Sequence, residues 1–152
     1  MAYVTREARE ELLETIAEAT NEIGVALAAL GAAYEQLDER AGDRLEEDLF
    51  RPVQVAYGRA KRTHSGFAER HGLATRTFDP ASAGLPSQGV AGFLERAVDA
   101  VATADEILIE LQDSMRPVEV GDAELRAGLA EVRELIGELP DRARLFMRSF
   151  GR

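Results

Sequence analysis

Residues 13–37 read LETIAEATNEIGVALAALGAAYEQL, and they carry the clearest structural signal of the chain. Its large apolar side chains recur at alternating steps of three and four, the spacing that places them on one face of an α-helix. The stripe comprises Leu13, Ile16, Ile23, Leu27, Leu30, Tyr34 and Leu37. Thr20 is the one polar residue in this register. The pattern predicts a long amphipathic helix that buries its stripe against other elements.

Three further segments carry a similar stripe, and capping signals delimit four helices. Gly42 predicts the break after the first helix, and Asp43 opens the second. Gly72 predicts the end of the second helix, and Asp122 is the expected N-cap of the fourth. The predicted helices cover about residues 5–39, 43–71, 87–115 and 122–150.

Four helices with one apolar stripe each pack most simply as an all-α four-helix bundle, which we expect to be a single domain over residues 1–152. The connection over residues 72–86 is long enough to run the length of a helix. We favour an antiparallel up-and-down order, with a crossover arrangement as the alternative. Pro52 and Pro140 lie inside predicted helices and either kink or break them.

The composition of the chain restricts its possible binding partners and its cellular environment. The chain has 28 acidic and 18 basic residues and a net charge of −10, which argues against general nucleic-acid binding because that binding depends on cationic contacts to phosphate. Without cysteine there are no disulfides, thiolate metal sites or cysteine nucleophiles. The N-terminal residues do not resemble a signal peptide, so we expect a cytoplasmic protein. No membrane association is expected, since the longest apolar run is far shorter than the roughly 20 residues that span a bilayer.

That apolar run, residues 24–34, is apolar on every face of the first helix. A surface helix needs only one apolar stripe, so the run predicts a second contact surface, most simply that of a homodimer. The expected interface residues, which allow close helix approach, are Gly24, Ala28, Gly31 and Ala32. Two alternatives remain open: the long connection with Phe78 covers this face, or alanine is present for its helix propensity.

A row of arginines lies on one side of the second predicted helix, at about 100° per residue. Its members are Arg51, Arg59, Arg62 and Arg70. One interpretation is a site for an anion or an acidic partner. The other is pairing with the glutamates at positions 14, 18 and 22 of the first helix, whose mutual repulsion the arginines would relieve.

His64 lies at the flank of the second stripe, and antiparallel pairing of the first two helices sets it opposite Thr20. A buried hydrogen bond between them would be a polar layer that fixes the register of the helices. The alternative is a ligand site in an internal cavity lined by His64, Thr20 and Tyr57, with Arg59 and Arg62 attracting an anion.

Motifs for catalysis and for metals do not stand out. The chain has no phosphate loop, nucleophile elbow or dinucleotide fingerprint. The Glu-x-x-His pairs of di-iron bundles are missing, and two histidines are too few for a histidine zinc site. We therefore expect no metal and no cofactor, and interpret the chain as a non-catalytic binding or assembly module. The alternative is a bundle that binds a small molecule or a cofactor in an internal cavity near His64, or an enzyme whose active site is that cavity.

Overall fold

The computed structural model describes the backbone of residues 2–150 and the side chains of residues 4–150, and its regular structure there is entirely helical. The helices are α1 (Ala2–Glu35), α2 (Glu39–Leu45), α3 (Arg51–Arg70), α4 (Gly89–Asp113), α5 (Arg116–Glu119), α6 (Ala123–Gly137) and α7 (Leu139–Phe150). A π-helical turn, Glu46–Phe50, joins α2 to α3, and a 3₁₀ turn, Pro86–Gln88, precedes α4. The predicted all-α class is confirmed.

The first helix break lies at residues 36–38, before the position predicted from Gly42. Asp38 caps α2, because its carboxylate accepts a hydrogen bond of 2.9 Å from the backbone N–H of Ala41. Gly42 is buried inside α2, where a Cβ atom would come within 3.2 Å of the Tyr34 ring. The prediction from Gly42 was therefore wrong, because this glycine permits close packing and does not end a helix.

Other boundaries follow the sequence closely. Gly72 has φ of +64° and follows the last turn of α3, as expected of a glycine after a helix end. Asp122 caps α6 by accepting a 2.8 Å hydrogen bond from the Leu125 N–H. Pro52 lies in the first turn of α3 directly after the π-helical turn, without interrupting the helix, whereas Pro140 follows a break between α6 and α7.

The long helices share one apolar core. Side chains that are almost completely buried come from α1, α3, α4 and α6, among them Ile23, Phe67, Phe93 and Leu129. Helix α1 packs against α3 and α4, and α6 packs against the same two helices. Each of these four long helices therefore packs mainly against two of the other three.

Contacts at both ends of α1 establish its direction relative to α4. Near the N-terminus of α1, the Arg9 Nε donates a 2.9 Å hydrogen bond to the carbonyl oxygen of Val120, which lies beyond the C-terminus of α4. After the other end of α1, Gln36 donates a 2.8 Å hydrogen bond to the carbonyl oxygen of Pro86, just before α4. The two helices are therefore antiparallel, whereas the up-and-down order favoured from the sequence would make them parallel.

Helices α3 and α6 are antiparallel as well. Arg70 at the end of α3 contacts Asp122 at the start of α6, and Arg59 reaches Glu131 further along α6. Between α3 and α4, the chain over residues 73–85 places Phe78 beside α1 and α3. In the described residues, no helix is long and apolar enough to cross a membrane.

Candidate functional site

His64 is a buried polar side chain with an unsatisfied atom. It is only 3% exposed, and its Nδ1 finds no hydrogen-bond partner among the described residues. The ring of Phe78 meets the imidazole edge-on, with 5.4 Å between ring centroids. Burial lowers the pKa of His64, Arg76 lowers it further, and Glu14 opposes both effects. The neutral imidazole is therefore the form that this environment favours.

The expected hydrogen bond between Thr20 and His64 is not formed. The Thr20 hydroxyl donates a 2.8 Å hydrogen bond to the Ile16 carbonyl of its own helix. Thr63 does the same with the Arg59 carbonyl, also at 2.8 Å. A helical threonine always has the carbonyl four residues earlier within reach, so neither hydroxyl needs the histidine.

The predicted ligand residues do not converge on one cavity. The Arg59 guanidinium is directed toward α6, where its Nε lies 2.5 Å from a Glu131 carboxylate oxygen. Arg62 is exposed. Tyr57 packs against Gly24 of α1, and the Thr20 hydroxyl is directed to its own helix.

Two members of the arginine row, Arg59 and Arg70, pair with α6 and not with the glutamates of α1. The Arg70 Nε and Nη2 both contact the Asp122 carboxylate at 2.8 Å, and Nη1 contacts Glu124 at 2.8 Å. His71 Nε2 lies 3.0 Å from the same Asp122 carboxylate. The Arg70 guanidinium holds the pKa of Asp122 well below its usual range. These charges thus join the end of α3 to the start of α6.

The predicted dimer residues of α1 have neighbours within the chain. Gly24 is buried beneath the Tyr57 ring, where a Cβ atom would come within 3.1 Å of Cε1. Gly31 faces Phe50, and the half-buried Ala32 packs against the core. Ala28 lines a groove whose opposite wall belongs to the 73–85 segment. The connection with Phe78 therefore lies beside Ala28, as the first alternative expected, whereas Tyr57 and Phe50 cover Gly24 and Gly31.

The groove beside Ala28, here the Lys61 groove, has a volume of about 340 Å³. Its lining residues are Gly24, Leu27, Ala28, Phe50, Tyr57, Lys61, Phe78, Pro80 and Ala81. Lys61 is the only lysine of the chain, and its Nζ lies 4.3 Å from the centroid of the Tyr57 ring. The groove thus combines an apolar floor with one phenol and one ammonium group.

A larger groove of about 650 Å³, the α4–α7 groove, runs between α4 and α7. Its apolar lining comprises Ala91, Leu94, Val98, Pro140, Ala143 and Met147. The α4 rim carries Glu95 and Asp99, and the α7 rim carries Arg144 and Arg148. Val98 is half-buried and lies off the buried face of α4, so helical periodicity did not reveal this surface. The face shared by Ala143 and Met147 could have been found only by treating residues 139–150 as a separate helix.

Among the described side chains, no group of three or more histidine, aspartate and glutamate residues is placed to hold a metal ion. Comparison with known proteins gives no match to a family model, a curated protein or a solved structure. The two grooves are therefore the candidate binding surfaces of the described residues.

Proposed function

We propose that the four long helices form a four-helix bundle with a crossover connection. The antiparallel pairs α1–α4 and α3–α6 support this order, because α3 ends near the N-terminal part of α1 and α4 begins near its C-terminal end. Residues 71–88 would then cross the length of the bundle along α1. Such a course is consistent with Phe78 beside His64 and with the contact between Gln36 and Pro86.

We further propose that the protein is a non-catalytic assembly module that forms a homodimer through the α4–α7 groove. The observation that carries this proposal is the opposite charge of the two rims on either side of an apolar floor. Glu95, Asp99 and Arg148 have no ion-pair partner within 4.0 Å among the described residues, and Arg144 contacts only Asp141 of its own helix. The charges of Glu95, Asp99 and Arg148 are therefore available to a partner.

Symmetry makes a second copy the matching occupant. A two-fold axis parallel to the groove places the acidic α4 rim of one protomer on the basic α7 rim of the other, twice. The half-buried side chains of Val98 and Met147 from both copies would then meet in the centre. A two-fold axis across the groove would set like charges against each other and is disfavoured.

This interface replaces the one expected on α1. The small residues of α1 have Tyr57, Phe50 and the 73–85 segment as neighbours and carry no complementary charges, whereas the α4–α7 groove has rims of opposite charge that match a second copy. An Ala28→Glu substitution separates the two proposals, because it should dissociate an α1 dimer and leave an α4–α7 dimer intact.

Charge reversal of the rims tests the homodimer. We expect the unmodified protein to have twice the chain mass of 16.6 kDa in native mass spectrometry and light scattering at micromolar concentration. A Glu95→Arg/Asp99→Arg variant has two basic rims, and an Arg144→Glu/Arg148→Glu variant has two acidic rims. Each should be monomeric alone because like charges meet, and an equimolar mixture should form the heterodimer.

A matched control uses the same helix and spacing. Glu106 and Glu110 are exposed on α4 outside the groove, so Glu106→Arg/Glu110→Arg changes the charge equally and should remain dimeric. A monomeric unmodified protein, or a mixture of the two rim variants that does not associate, would overturn the proposal.

A further inference from the structure

The Lys61 groove has the construction of a small-molecule site. Its floor is Leu27 and Ala28 of α1, and the 73–85 segment provides one wall with Phe78, Pro80 and Ala81. Gly24 contributes because its missing side chain lets the Tyr57 ring lie close to α1. A volume of about 340 Å³ is at the lower end of the range of about 300–1,000 Å³ for ligand pockets. The space suits a ligand of modest size with an apolar body.

Lys61 provides the polar end of the groove. Its ammonium group lies over the Tyr57 ring, and no carboxylate of the described side chains is within 4.0 Å of it. The face of an aromatic ring attracts a cation but does not satisfy its three N–H donors. An anionic oxygen that enters the groove can therefore form hydrogen bonds with Lys61 without displacing a partner.

Tyr57 and Arg76 also favour a negatively charged ligand. Burial raises the pKa of Tyr57, and the nearby Asp79 raises it further, so the phenol stays a hydrogen-bond donor at neutral pH. Arg76 lies over the Phe78 ring, with 5.1 Å between its Cζ and the ring centroid, and adds a second positive charge beside the groove wall. Asp79 opposes an anion, as does the net charge of −10. Recognition would therefore depend on short-range contact with Lys61.

We propose that the Lys61 groove binds an amphipathic organic acid, with the carboxylate on Lys61 and Tyr57 and the apolar chain along Leu27 and Ala28. The site is separate from the α4–α7 groove, so it does not depend on the dimer. It also differs from the internal cavity expected at His64, because the ligand enters from the surface between α1, α3 and the 73–85 segment.

Titration with octanoate, followed by amide chemical shifts and by calorimetry, tests this site. We expect saturable binding with shifts that cluster at residues 24–28, 57–61 and 78–81. The neutral octanamide should bind at least about tenfold more weakly, because its amide group cannot form a charge-assisted hydrogen bond with the Lys61 ammonium group. Shifts that do not saturate, or that cluster elsewhere, would contradict the proposal.

Two variants and one control locate the contacts. Lys61→Met should reduce octanoate affinity about tenfold or more and abolish the preference over octanamide. Ala28→Leu should reduce the affinity for both compounds, because it fills the floor of the groove. Arg62→Met removes an exposed cation from the adjacent position and should bind octanoate as the unmodified protein does. Equal affinities for Lys61→Met and Arg62→Met, both with unchanged circular dichroism, would overturn the proposal, whatever the dimer experiment shows.

Discussion

At the scale of single residues, His64 is the clearest source of pH dependence. Its folded-state pKa is lowered, so the unfolded chain binds the proton more tightly and the folded state loses stability as the pH falls below about 6.5. Glu14 attracts the proton, whereas burial and Arg76 oppose it. We expect His64→Leu to remove this loss between roughly pH 7 and 5, as measured by urea unfolding at fixed pH.

The same substitution tests the unsatisfied Nδ1. Replacing a buried, unpaired polar atom with an apolar side chain of similar size is expected to be neutral or to stabilise the fold at pH 7. A His64→Asn variant keeps a polar group there and should be less stable than His64→Leu. If the unmodified protein and His64→Leu have parallel pH profiles, His64 is not the titrating group.

At the scale of helices, Asp122 connects the end of α3 to the start of α6. It caps α6 through Leu125 and accepts hydrogen bonds from Arg70 and His71. We expect Asp122→Ala to lower the free energy of unfolding by about 2 kcal/mol, of which the cap accounts for about 1 and the partly exposed ion pairs for the rest. Asp122→Asn keeps a good cap and should lose only about half as much, as measured by chemical denaturation.

The pH dependence of these variants separates the ion pair from the cap. Because the folded-state pKa of Asp122 is lowered, its carboxylate adds stability above the ordinary aspartate pKa of about 3.9, and this contribution is lost progressively as the pH falls from that value toward the lowered folded-state pKa. The unmodified protein should therefore lose more stability than Asp122→Asn between roughly pH 5 and 2. Asp38 is the matched control, since it caps α2 through Ala41 without an arginine. Equal acid sensitivity of Asp122→Asn and the unmodified protein would contradict this account.

Local capping chemistry also explains which helix ends the sequence could predict. Asp122 and Gly72 act on the backbone beside them, so their positions were sufficient. The break at residues 36–38 was missed because Gly42 resembles a helix end, although tertiary packing against Tyr34 requires this glycine. The partner of Arg70 was missed for a similar reason: the sequence gives the face of an arginine row but not the helix opposite that face.

At the scale of the whole molecule, the stripes predicted helices and a shared core but not the order of the helices. Each stripe fixes which face is buried, and that requirement is met by either direction of α4. The 73–85 segment is long enough for both arrangements, so only contacts distant in sequence, such as those of Arg9 and Gln36, bear on the order, and they support the proposed crossover. The α4–α7 groove was invisible for the same reason, because it depends on where α7 returns after the break before Pro140.

The proposed crossover order makes a distance prediction that the cysteine-free chain can test directly. Exposed positions Glu10, Ser87 and Asp113 accept spin labels through introduced cysteines. The contact between Gln36 and Pro86 places Ser87 near the far end of α1, about 40 Å from Glu10 at 1.5 Å rise per residue, whereas Asp113 should lie within about 20 Å of Glu10. Double electron–electron resonance, with labelled chains diluted into unlabelled protein, should give the long distance for residues 10 and 87. The up-and-down order reverses the two distances, so a short separation between residues 10 and 87 would exclude the crossover.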